Sequence, residues 1–313
     1  MAVRTLQYLA LGLSLEFQKA WSRFWFRTTH PHALALFRIA FGGFLLFYWS
    51  LKLPHVDALF SEEGIVLPLV WRTNVPPALL SLFSPPPYPI ALLIFLALLA
   101  VFVFLVAGLF SRAAAGVAFA LSVYYWILSL HLFGTSFDRL FIFMLLVLAF
   151  SPADRAFSLA MKLKHGSFLA WEPISILPQR ILAVQVAATY LGVGWQKLVL
   201  PDWQSGEILA LGFMGRWATA PAWRVIQWNL PLWMYDAMIA VVKGFELLLP
   251  FGVWIQKWKI QWWFFLGTAL FFSNVALFLA IWWFLVLIPA NILFLDPDAL
   301  YRWLRERANG QIH

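Results

Sequence analysis

A lysine and a glutamate three residues apart, Lys243 and Glu246, lie within the apolar stretch Met238 to Ile255. That spacing puts both on one face of a helix, where they can pair. An ionisable group in apolar surroundings costs a few kcal/mol or more unless it is paired or hydrated. The two therefore read either as a buried structural pair or as groups that handle protons or contact a ligand. Lys197, in Gly194-Trp195-Gln196-Lys197-Leu198, closes another apolar run. At the headgroup level it is an interfacial anchor, and substituting methionine for it would then be benign. In a dry site desolvation favours the neutral amine, which is a usable base. Asp138 and Arg139 open a short apolar segment, where a carboxylate near a helix N-terminus is a cap favoured by the dipole. With Lys243 and Asp202 they are also candidates for a polar cluster. Arg38 lies about a turn and a half inside the first apolar run, and its long side chain can snorkel back to the headgroups.

The elements that carry these groups follow from composition. The 313 residues are 63% hydrophobic and 12% charged, against about a quarter charged in soluble domains. Runs such as Ala91 to Phe110 hold no charge and are long enough for the roughly 30 Å hydrocarbon layer. Backbone polar groups there must be satisfied within the segment or in a closed barrel. The runs are continuously apolar rather than alternating, so helices are expected: an all-α, multi-pass transmembrane bundle. Its spans are Ala33 to Leu51, Pro89 to Phe110, Ala113 to Leu130, a short Asp138 to Ser151, Pro178 to Val199, Leu232 to Ile255, and Trp262 to Leu295. The last is too long for one straight span and short for two, which makes seven or eight crossings with the final one bent or broken near Ser273 and Asn274. Residues 1–31 form an amphipathic interfacial helix, because Leu6, Leu9, Leu13, Phe17, Trp21 and Phe24 recur at three or four residues. The bundle runs over 32–299 and a basic tail over 300–313.

Lys and Arg are divided eleven to six between alternate loops, which places the N-terminus in the cytoplasm of a cell (inner) membrane. Two long connections on the opposite side, 52–88 and 200–231, are rich in Pro and Trp and read as caps folded on the bundle. Trp203, Trp262, Trp282 and Trp283 are structural or interfacial side chains in this scheme. The net charge of +8 suits anionic lipid headgroups better than nucleic acid. The chain has no cysteine, which excludes disulfides and thiolate sites, and its histidines lie in loops or near span ends. No metal site is expected.

Four stretches, in order, resemble the HTTM family, the membrane domain shared with vitamin K-dependent γ-carboxylase. They are Ala35-Leu36-Phe37-Arg38-Ile39-Ala40-Phe41-Gly42; Phe60-Ser61-Glu62-Glu63-Gly64-Ile65-Val66-Leu67; Gly194 to Leu198 with Asp202-Trp203 and Gly206; and Glu246-Leu247-Leu248-Leu249-Pro250. The resemblance implies that Lys197 holds the position of the carboxylase base and that Glu246 matches the family's acidic residue in the following span. By an ungapped reading of the same likeness, two positions where the carboxylase has functional histidines fall at Phe137 and at about Phe271. No room remains after Leu295 for the carboxylase's large extramembrane domain. Glutamate carboxylation is therefore not expected.

Two functions remain open. The first is a non-catalytic accessory or structural subunit of a larger membrane complex, contacting lipids or hydrophobic cofactors and other membrane subunits. The second is a membrane-embedded enzyme or maturation factor that uses Lys197 as a base on a quinone-like substrate. The stripped histidine positions favour the first.

Overall fold

The structure, a computed structural model, describes residues 15–65, 84–129, 135–308 and 310. A helix over residues 15–26 (α1) leads into a two-residue strand, Thr28–Thr29 (β1). Then follow α2 (His32–Ser50), α3 (Val56–Phe60), α4 (Tyr88–Ala107), α5 (Ser111–Ser129), α6 (Ser136–Ala149) and α7 (Leu159–His165). A second strand, Ile174–Ser175 (β2), pairs antiparallel with β1, Thr29 opposite Ile174. The remaining helices are α8 (Leu177–Val199), α9 (Glu207–Met214), α10 (Ala220–Gln227), α11 (Leu232–Gly252), α12 (Trp258–Leu279), α13 (Leu287–Ala290) and α14 (Pro297–Ala308). Among the described residues this one strand pair is the only sheet, so the chain is all-helical.

Among the described residues four helical segments are long and apolar enough to cross a membrane: His32–Phe60, Tyr88–Ala107, Ser111–Ser129 and Trp258–Leu279. A fifth arises if Trp282–Phe294 and Pro297–Arg307, bent by 89°, are one broken span. The 14-residue α6 is about 21 Å long at 1.5 Å per residue, shorter than a bilayer core. Helices α8 and α11 are long enough, at 23 and 21 residues. They are diluted by the polar groups they carry, Gln179, Arg180, Gln185 and Lys197 on one and Asp236, Lys243 and Glu246 on the other.

Neighbouring helices pack in the sequence α2, α4, α5, α6, α8, α11, α12. Their shared core is mostly Phe and Leu, with Phe37, Phe41, Phe95 and Phe102 fully buried. Arg38 is buried with them at 0% exposure, which corrects the snorkelling expectation. Its guanidinium is held inside the bundle by the Phe157 carbonyl oxygen at 2.7 Å. It also occupies the space beside Gly108, the left-handed residue (φ 70°) that ends α4. A helix C-terminus attracts a cation, and here it draws one inward.

One further expectation changes. The break in the last apolar segment falls at Ala280, in the left-handed region at φ 51°, and not at Ser273 and Asn274. Asn274 donates to the Leu270 carbonyl one turn back at 2.7 Å, so α12 passes through it unbroken. Beyond the break, 3-10 turns and α13 fold back into the bundle between α12, α8 and α2. Trp282 thereby packs on Tyr48 and Phe47, with ring centres 5.4 and 5.6 Å apart. The described part of the basic segment 300–313 belongs to a docked helix, Pro297–Ala308. Asp296 caps it by accepting from the Asp298 and Ala299 N–H groups, and binds Arg27 at 2.8 Å. Asp298 binds Thr29 and His30 at 3.0 and 2.6 Å.

The described part of the N-terminal helix, α1, exposes Phe17 and Trp21 at 66% and 54%. Leu6, Leu9 and Leu13 lie outside the described residues. The 200–231 connection does fold onto the bundle. Thr219 Oγ1 donates to the Leu277 carbonyl at 2.6 Å, and Phe213 stacks on Phe278 at 5.6 Å. Of the 52–88 connection, residues 66–83 are outside the described set.

Candidate functional site

Lys197 lies in the last turn of α8, where the unsatisfied carbonyls favour a cation. Facing it on α11 is Glu246. The Nζ stands 2.5 Å from both carboxylate oxygens, and the two side chains are only 12% and 5% exposed. The close approach that permits this comes from Gly194, one turn before Lys197. A Cβ there would lie 3.2 Å from the Glu246 carbonyl carbon, a tighter contact than side chains usually make, so glycine suits the close approach of α8 and α11. The Trp203 ring covers the ammonium from a third side, 4.7 Å away. The 3-10 turn carrying it is held by Gln204, which donates to the Leu198 and Leu200 carbonyls at 2.8 and 2.9 Å. One further contact fixes the loop to α11, the Gly206 N–H donating to Asp236 Oδ1 at 2.6 Å.

The expected Lys243–Glu246 pair is thus not formed. Positions three apart diverge by about 60° around a helix, and Glu246 faces α8 while Lys243 stays half-exposed. Among the described residues the Lys243 side chain makes no ion pair or hydrogen bond. Nor do Asp138, Arg139, Lys243 and Asp202 form one cluster. Asp202 and Arg139 are exposed, and Asp138 belongs to a separate corner of the bundle.

In that corner Asp138 is the cap expected of it, forming a capping box with Thr135, whose N–H it accepts at 2.5 Å. Its other oxygen accepts from Tyr48 Oη at 3.4 Å. Beside it is Lys52, one of the six cations on the less basic side in the eleven-to-six division of the loops. Its ammonium lies over the Tyr48 and Trp49 rings at 4.2 and 4.1 Å. It lines a cavity of about 10 Å³ with Asp138, Ser122 and Ser129, at the lower limit for one water. The spacing of Tyr48, Trp49 and Lys52, at i, i+1 and i+4, was the signal available for this cluster. Asp236 was missed because its role depends on a loop glycine thirty residues away.

Phe137 and Phe271 are aromatic packing sites. Phe137 lies 4.2 Å from the Phe284 ring, and Phe271 lies 5.1 Å from Phe245. Among the described residues no three His, Cys, Asp or Glu side chains converge as a metal site. Chemically, the Lys197 corner offers an ammonium whose strongest acceptor is already built in. The Lys52 corner offers an ammonium with cation–π contacts and no carboxylate within ion-pair distance among the described residues.

Taken together, the fold and these sites define a helical protein with several membrane-length apolar helices and two separate lysine–carboxylate corners. The chain matches no family model, no curated protein and no solved structure.

Proposed function

We propose that this chain is a non-catalytic accessory subunit of a larger membrane complex, built on an HTTM-like bundle and contacting lipids, hydrophobic cofactors and other membrane subunits. One observation carries the reading: Lys197, the amine a carboxylase-like mechanism would use as base, is bound at 2.5 Å by both oxygens of Glu246. A base must be free to take a proton from substrate. An ammonium clamped by its own carboxylate ties two helices instead. The HTTM likeness gains support from the convergence of its third and fourth stretches at this tie.

In this reading α8 and α11 also cross the membrane, their polar groups turned towards each other. The crossings then number seven or eight, with α1 on the cytoplasmic face of a cell (inner) membrane as the charge division of the loops requires. The exposed side of α12, where Trp263 and Leu270 are 72% and 57% accessible, serves partner subunits or lipid.

The enzyme reading keeps one point in its favour, since a lysine and a glutamate in contact can also exchange a proton. Gentle purification separates the two. A stoichiometric complex with other membrane proteins is expected, whereas a lone protein carrying a quinone-like molecule would overturn the subunit reading.

A further inference from the structure

Helices α11 and α12 form a wedge. At one end they are pressed together by ring-on-glycine contacts. The Phe264 ring lies against Gly252, and a Cβ on Gly267 would come within 2.9 Å of the Phe245 ring. Beyond Phe245 and Phe271, which meet at 5.1 Å, the helices separate. The gap is roofed by α9, whose Phe213 packs on Phe278. This leaves a cavity of about 580 Å³ with Met238, Val241, Phe271, Asn274 and Phe278 among its walls, within the range of small-ligand sites. Among the described residues no ionisable side chain lines it.

Asn274 is its one amide. The side-chain N–H₂ donates to the Leu270 carbonyl, and the Oδ1 makes no hydrogen bond among the described residues. An acceptor facing hydrocarbon is costly unless a donor meets it.

We infer that this wedge binds a neutral lipid, one hydrocarbon tail filling the cavity and a hydroxyl of the head donating to Asn274 Oδ1. The inference rests on the membrane-subunit reading above and assigns that reading a lipid site. The apolar walls account for the tail. The lack of any cation argues against a phosphate head, which Lys or Arg would normally meet. Specificity then resides in one hydrogen bond, because tail packing in a membrane gains little over packing in the bilayer.

The test uses the full chain in detergent with a diacylglycerol bearing a diazirine in its tail, the labelled peptides being mapped after irradiation. Labelling is expected to concentrate on residues 234–242 and 271–278. It should fall about fivefold in Asn274→Leu, corresponding to a membrane hydrogen bond of about 1 kcal/mol. It should also fall in Met238→Trp, which narrows the cavity. If Met238→Trp fails to fold, Asn274→Leu, altered at an exposed position, decides. Uniform labelling of all exposed helices, or unchanged labelling in Asn274→Leu, would overturn the inference. Native gels run in parallel keep the two ideas apart. A protein that assembles with partners but takes no label refutes only the lipid site, and one that takes label but stays alone refutes only the subunit reading.

Discussion

Lys52 and Lys197 occupy equivalent local positions, each at the C-terminal end of a long helix and each against tryptophan. Their surroundings differ in one respect. Lys197 meets a carboxylate with both oxygens free to receive it, while Lys52 lies beside Asp138, whose oxygens already accept from Thr135 and Tyr48. The first lysine is consumed as a tie between α8 and α11, and the second keeps its N–H groups directed at rings and a water-sized cavity. A lysine's chemistry is thus decided by what its neighbour's oxygens are doing, which residue type and spacing do not reveal.

The largest effect should come from breaking the tie on one side only. Glu246→Leu or Lys197→Met strands a buried charge and is expected to cost about 3–5 kcal/mol, measured by unfolding in mixed micelles. This replaces the benign outcome expected of an interfacial anchor. Replacing both should cost far less than the sum, and additive losses would show that the residues are not partners. Next in size, Asp138→Ala removes the capping box and the Tyr48 acceptor, and should cost about 1–2 kcal/mol. Lys52→Met should cost about 1 kcal/mol, a cation–π contribution, because it strands no anion. A loss as large as that of Lys197→Met would erase the distinction between the two corners.

The smallest effect concerns the ionic contacts of α14, which lies outside the four membrane-length helices. Burial pushes the Asp298 carboxyl up, but hydrogen bonds from His30 and Thr29 and the Arg27 guanidinium pull it further down, leaving it below its ordinary value of 3.8. A carboxylate lowered in the folded state contributes stability that is complete above that ordinary value and is lost as pH falls through the folded pKa. Hydrogen exchange of α14 should therefore be steady near neutrality and quicken only in strong acid relative to Asp298→Asn, in which the dependence should vanish.

Apolar runs made the helices legible, since period and length are local properties. The positions of Gly194, Lys197, Trp203 and Glu246 were also legible as motifs, but their partnership was not. Lys243 is nearer to Glu246 in sequence, whereas the choice of Lys197 depends on two helices meeting at a glycine. Arg38 misled for a related reason. A snorkelling arginine and a buried one look alike until Gly108 and the Phe157 carbonyl come into place from residues 70 and 119 positions away. The break at Ala280 was hidden because Asn274, the expected breaker, satisfies its own helix.

The central claim is that the Lys197–Glu246 pair holds helices together and does no chemistry. The most direct measurement is the double variant Lys197→Met with Glu246→Leu, expressed at wild-type level and assayed for complex assembly and for function in the cell. Both are expected to be retained, because the tie is replaced by apolar packing. A double variant that folds and assembles normally yet has lost function would contradict the account and assign chemistry to the pair.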